Sequence, residues 1–154
     1  MKTSWLWENF WSQGKKVRDL NLEFRELIEK LDEDYDLFLK TRKKGEEVFA
    51  WDGLSREELA KIRDDVDLLR AKIKTLFNHS HIREEAKKAW GIWWSQKVWR
   101  IITGFLPTLE REINREMLFL HGDPKDLVHI RDTDWNPRRK IAAEEKLRRT
   151  GTSS

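Results

Sequence analysis

The sequence predicts an all-α fold, an elongated antiparallel bundle of about four main helices. Apolar residues recur at spacings of three and four along much of the chain, and β-hairpin signals are close to absent. Only seven Gly and three Pro occur in 154 residues, of which 38% are hydrophobic and 38% charged. This length and apolar content fit one domain with a real core. Because there is no Cys, disulfides, thiolate metal sites and Cys nucleophiles are excluded.

The first two long helices have the clearest patterns. One is predicted over 16–44, where it ends before Gly45, a residue that favours a helix C-terminus. The other begins after Ser55, which forms the pattern of a capping box with Glu58. Its apolar residues follow a strict alternation of three and four: Leu59, Ile62, Val66, Leu69, Ile73 and Leu76.

A third helix is predicted over 81–105, with apolar residues on two sides of its second half. Ile82, Ala86 and Trp93 share one face, and Ile92 and Trp99 fall on the other. A helix of this kind is either central in its own fold, or packs on its fold with one face and on a partner with the other. Gly104 and Pro107 predict a break, which is followed by a fourth helix over 108–120.

Two appendages are expected to flank the bundle of residues 15–123. Residues 1–14 form an aromatic N-terminal arm, and residues 124–154 a basic C-terminal extension. In the extension, Asn136 and Pro137 mark the start of a last helix through Arg149.

Charge is unevenly distributed along the chain. Residues 18–36 carry eight acidic and three basic groups, whereas residues 70–100 carry eight basic and two acidic groups. The acidic run at 32–36 is expected to be a solvated helix face. The basic stretch also contains four Trp within ten residues, which is the composition of a surface that binds single-stranded nucleic acid or RNA.

A non-catalytic subunit of a larger assembly that binds nucleic acid is the first functional prediction. The residues predicted to meet phosphates or bases are Arg83, Lys87, Lys88, Trp94, Lys97, Trp99, Arg100, Arg138, Arg139 and Lys140. No cofactor and no metal site are predicted, and the expected location is intracellular, in the cytoplasm.

A structural protein that assembles through its Trp surfaces is the alternative, because Trp and Arg are common anchors of protein interfaces. The partner is then another protein subunit or a second copy of the chain. The residues predicted for this interface are Trp5, Trp7, Trp11, Ile92 and Trp99. The N-terminal aromatic residues also have the composition of a membrane anchor, but an arm that packs on a neighbouring subunit is preferred.

One catalytic pattern is present. Arg115 and His121 are separated by five residues, a spacing that resembles the Arg-x4–6-His motif of HEPN-family ribonucleases. The resemblance covers seven residues. It implies metal-independent RNA cleavage in an all-α dimer, with Arg115 stabilising phosphate charge and His121 transferring a proton.

Overall fold

A computed structural model describes residues 20–47 and 53–151, and within these ranges every regular element is helical. The predicted all-α class is confirmed. The aromatic arm, residues 1–14, lies outside the described residues.

Helices α1 (Leu20–Lys43) and α2 (Arg56–Phe77) match the first two predicted helices. The capping box is formed: the Glu58 backbone N–H donates to Ser55 Oγ at 3.1 Å, and the Ser55 N–H donates to Glu58 Oε1 at 3.2 Å. All six residues of the predicted apolar stripe of α2 are buried. Local pattern and tertiary packing therefore agree in this part of the chain.

The continuous helix predicted over 81–105 is wrong. The structure has α3 (Ser80–Trp90), a 3-10 turn (Gly91–Trp93), α4 (Trp94–Arg100) and a π turn (Ile101–Phe105). Helix α3 ends at Gly91, whose φ of 72° lies in a region that side chains disfavour. The chain bends at this glycine.

The predicted break near Gly104 and Pro107 is also different from the observed backbone. The π turn leads directly into α5 (Leu106–His121), and Pro107 lies in the first turn of that helix. A proline is tolerated there because it lacks a backbone N–H, and the N–H groups in the first turn of a helix have no acceptor within that helix.

The C-terminal extension forms two helices, α6 (Pro124–Thr133) and α7 (Pro137–Arg149). Helix α7 confirms the predicted last helix, whereas α6 was not predicted. The two helices pack on each other around a small apolar cluster that includes Leu127, Ile130 and Leu147. A larger cluster from α1 to α5 forms the main core. No helix among the described residues is long and apolar enough to cross a membrane.

Candidate interaction surface

Three large apolar side chains are exposed between the bend at Gly91 and the last turn of α4. Ile92 is 69% exposed, Trp93 60% and Trp99 58%. We call these three residues the bend surface. Exposed Trp and Ile side chains concentrated on one short stretch are typical of a surface that binds a partner.

Other residues of α4 are anchored in the core next to the bend surface, and the Trp99 ring itself lies 6.4 Å from the Phe77 ring of α2. Trp94 is 5% exposed and packs against Phe77 of α2, with ring centroids 5.3 Å apart, and Val98 is fully buried. The backbone direction changes at Gly91, so Trp93 does not continue the buried face of Ala86. The prediction that Trp93 shares this face is therefore wrong.

A cleft of about 420 Å³ lies beside the bend surface. It is lined by Arg83, Glu84, Lys87, Ile92, Trp94 and Ser95. Arg83 and Lys87 are exposed, and neither forms an ion pair with another described residue. Lys88 is 3.8 Å from Glu85, and both side chains face solvent. The structure thus brings Arg83 and Lys87 together with Ile92.

Lys97 and Arg100, which were predicted to bind phosphates, point at α1 instead. Lys97 Nζ donates to Glu29 Oε1 at 2.5 Å. Arg100 donates to Asp32 at 2.5 Å and to Asp36 at 2.6 Å. Burial lowers the pKa of Arg100, but its hydrogen bonds to the two carboxylates outweigh this and hold the pKa above its ordinary value. Both cations are already neutralised within the chain.

The acidic run at 32–36 is a solvated face only in part, since Glu33 and Asp36 are exposed but Asp32 is half-buried and Asp34 is buried. Asp32 and Asp36 pair with Arg100, whose guanidinium also lies 4.5 Å from the centre of the Tyr35 ring. Asp34 is 1% exposed. The run therefore holds α1 against α4.

Arg139 was predicted to be a surface cation, and the structure buries it completely. Its guanidinium donates to Asp134 at 2.8 Å, to Glu112 at 2.9 Å and to Glu116 at 3.1 Å. Burial lowers the pKa of Arg139, but Asp134 and Glu112 outweigh it and raise the pKa. Arg139 is therefore a structural residue in this conformation, with no face toward a phosphate.

Arg138 completes this buried ion cluster. It donates to Glu47 at 2.9 Å and to Glu116 at 2.8 Å, and Trp135 Nε1 donates to Glu112. We call Glu47, Glu112, Glu116, Asp134, Arg138 and Arg139 the Arg139 cluster. It ties the segment between α6 and α7 to α5 and to the segment after α1. Of the predicted tail cations, Lys140 lies apart from this cluster and lines a second cleft with Trp135 and Ile141.

The structure does not bring the two residues of the HEPN-like pattern together. Both lie on α5, which is continuous from Leu106 to His121, so side chains six positions apart point in different directions. Arg115 donates to Thr133 Oγ1 at 3.4 Å, whereas His121 Nδ1 is 3.3 Å from Arg56 at the start of α2.

The arm residues predicted for an interface, Trp5, Trp7 and Trp11, lie outside the described residues. Within the described part of the chain, no group of three or more His, Asp or Glu is arranged to hold a metal ion.

Comparison of the chain with models of known protein families, with curated proteins and with solved structures finds no match. Any functional conclusion therefore depends on the geometry of the described residues.

Proposed function

We propose that this chain is a non-catalytic helical subunit that assembles with other copies of itself through the bend surface. The observation that carries the proposal is the exposure of Ile92, Trp93 and Trp99 on one bend of the backbone. Rigid aromatic side chains that remain open in a single chain gain most from burial against a second protein.

The pairing of cations supports a protein partner over an anionic polymer. Lys97, Arg100 and Arg139 are engaged with carboxylates of the same chain. What remains beside the bend surface is a short basic rim, Arg83, Lys87 and Lys88, interrupted by Glu84 and Glu85. An apolar centre with a polar rim is the usual anatomy of a protein interface.

Nucleic-acid binding is the second candidate. Arg83 and Lys87 line the cleft that Ile92 also lines, so a phosphate held there would lie beside an exposed Trp on which a base can stack. This site would be smaller than the sequence suggested, since only two of the predicted phosphate-binding cations, Arg83 and Lys87, line it.

Size exclusion with light scattering, with absorbance recorded at two wavelengths, separates the two candidates. We expect the full chain to have the mass of two or more copies, and the double substitution Trp93→Ser with Trp99→Ser to reduce it to one. Ile141→Ser, a matched change at an exposed apolar residue of α7, should leave the mass unchanged. Lys87→Gln with Lys88→Gln, which removes two cations without adding a carboxylate, should also leave it unchanged.

A different result would overturn self-assembly. A single-copy mass for the unmodified chain, with bound nucleic acid that dissociates at high salt and is lost on removal of the charges of Lys87 and Lys88, would favour the second candidate. Circular dichroism of each variant would show that the helices remain formed.

A further inference from the structure

The bend surface needs an occupant, and the chain itself contains one of suitable chemistry. Residues 5–11 include five large apolar side chains: Trp5, Leu6, Trp7, Phe10 and Trp11. We infer that this aromatic arm of one copy docks on the bend surface of a second copy. The inference rests on the proposed function, since it names which part of the second copy makes the contact.

The point where the arm joins the described structure supports this assignment. Helix α1 begins at Leu20, and five residues later Arg25 lines a cleft together with Trp90, the last residue of α3. The Lys97–Glu29 pair fixes the same part of α1 against α4. The described chain therefore begins close to the bend. Eight residues such as 12–19 span at most about 27 Å, so a neighbouring molecule in contact with that end lies within reach of the arm.

Charge also favours this occupant. Between residues 3 and 14 the chain has no Lys or Arg, and Glu8 is its only charged residue. The rim of the bend surface carries Arg83 and Lys87. An apolar segment with one carboxylate can therefore cover the Trp side chains without placing like charges together.

Exposure and area indicate a second copy. Ile92, Trp93 and Trp99 are all more than half exposed, so the other described residues of the same chain do not cover them. One buried aromatic side chain accounts for roughly 150–250 Å², so the four aromatic residues of one arm supply roughly 600–1,000 Å². Two arms exchanged in a symmetric dimer reach about 1,200–2,000 Å², the size of a stable specific interface.

Site-specific photo-crosslinking in the full chain tests this contact. The crosslinker p-benzoylphenylalanine replaces Trp7, and the same crosslinker in place of Ile141 on α7 serves as the control. We expect the position-7 protein to give an adduct of twice the chain mass after irradiation. Peptide mapping should place its attachment between residues 89 and 100, and the control should give no such adduct.

Two results would overturn the inference. One is an adduct to the bend surface within a single chain only, and the other is attachment elsewhere or nowhere.

The proposed function fails separately. If Trp93→Ser with Trp99→Ser removes assembly while the position-7 crosslink misses the bend surface, the surface is an interface but the arm is not its occupant. A further check is Trp7→Ser with Trp11→Ser, which should abolish the multi-copy mass and leave the helical circular dichroism unchanged.

Discussion

Glu110 on α5 shares its site with a second carboxyl group. It is hydrogen-bonded to Asp67 of α2, with Arg63 and Arg70 nearby. One oxygen of Glu110 and Nε of Arg70 are buried without a hydrogen-bond partner among the described residues. Burial first, and then the bond to Asp67, raise the pKa of Glu110 from 4.5 to about 7. Glu110 therefore retains its proton in the folded state at a pH where the unfolded chain has lost it.

This titration predicts a pH-dependent stability. Because the folded pKa is raised, the contribution of Glu110 to the free energy of unfolding is complete below about pH 4.5 and is lost as the pH rises to about 7. We expect Glu110→Gln to remove this dependence. In urea unfolding at a series of pH values, the stability of the variant relative to the unmodified chain should increase across that window.

Glu145→Gln is the control, because Glu145 is exposed on α7. The difference in the free energy of unfolding between Glu145→Gln and the unmodified chain should not change over the same pH range. A flat difference for Glu110→Gln as well would show that the pKa of Glu110 is not raised in the folded state.

At the scale of the elements, the π turn depends on a close approach between α1 and the residues before α5. A Cβ added at Gly104 would lie 2.9 Å from Tyr35 Oη and 3.1 Å from Cε2. The Tyr35 ring has little freedom to move, since it stacks on Phe105 with centroids 5.1 Å apart and lies under Arg100. Gly104 is therefore required by packing and not by its own φ.

Gly104→Ala is expected to destabilise the protein by about 1–3 kcal/mol through overpacking. The sign of the change in stability is informative, because in an exposed helix Ala is favoured over Gly by about 1 kcal/mol and the same substitution would stabilise the protein. Adding Tyr35→Phe removes the nearest atom and should restore part of the loss, as measured by thermal or urea unfolding. If Gly104→Ala stabilises the chain, α1 and the π turn are not in this contact.

These elements show how far the sequence could predict the fold. The stripe of α2 and its cap are local, and both were predicted correctly. The bend and the π turn were not predicted. They depend on how α4 crosses α1, through Gly91 and the Gly104–Tyr35 contact, and a local sequence pattern carries no information about that crossing. Helix α6 was not predicted because its few apolar residues do not form a recognisable stripe in the sequence. They are buried by packing against α7.

The candidate site was predictable only in part. The sequence placed Ile92 and Trp99 on an open face, and both are exposed, but it did not distinguish buried Trp94 from exposed Trp93. It also counted Arg138 and Arg139 as surface charge. One sequence feature could have indicated that these two arginines are not surface charge. Glu112 and Glu116 are two carboxylates four residues apart beside the apolar stripe of α5. Carboxylates in that position need buried cations as partners. The cations that pair with Glu112 and Glu116 lie more than 20 residues later in the sequence.

At the scale of the whole molecule, the helices form two apolar clusters joined by a polar one. The core of α1–α5 and the smaller cluster of α6, α7 and Phe119 are separate. The Arg139 cluster lies between α5 and the segment that joins α6 to α7, and every carboxylate around Arg139 is hydrogen-bonded to it. The docking of α6 and α7 thus depends strongly on one guanidinium.

Native-state hydrogen exchange tests this dependence. We expect amides of α7 such as those of Ala143 and Leu147 to exchange through an opening of lower free energy than amides of α2 such as that of Leu69, because their apolar cluster is small.

In Arg139→Met the buried carboxylates lose their partner, at a cost of about 3–5 kcal/mol. Protection should fall mainly in residues 124–149, whereas α2 should keep most of its own. Arg148→Met, at an exposed position of α7, should change neither set. Equal loss in α2 and α7 would mean that the two clusters unfold as one cooperative unit, and the Arg139 cluster would then stabilise the whole molecule and not the docking of its last two helices.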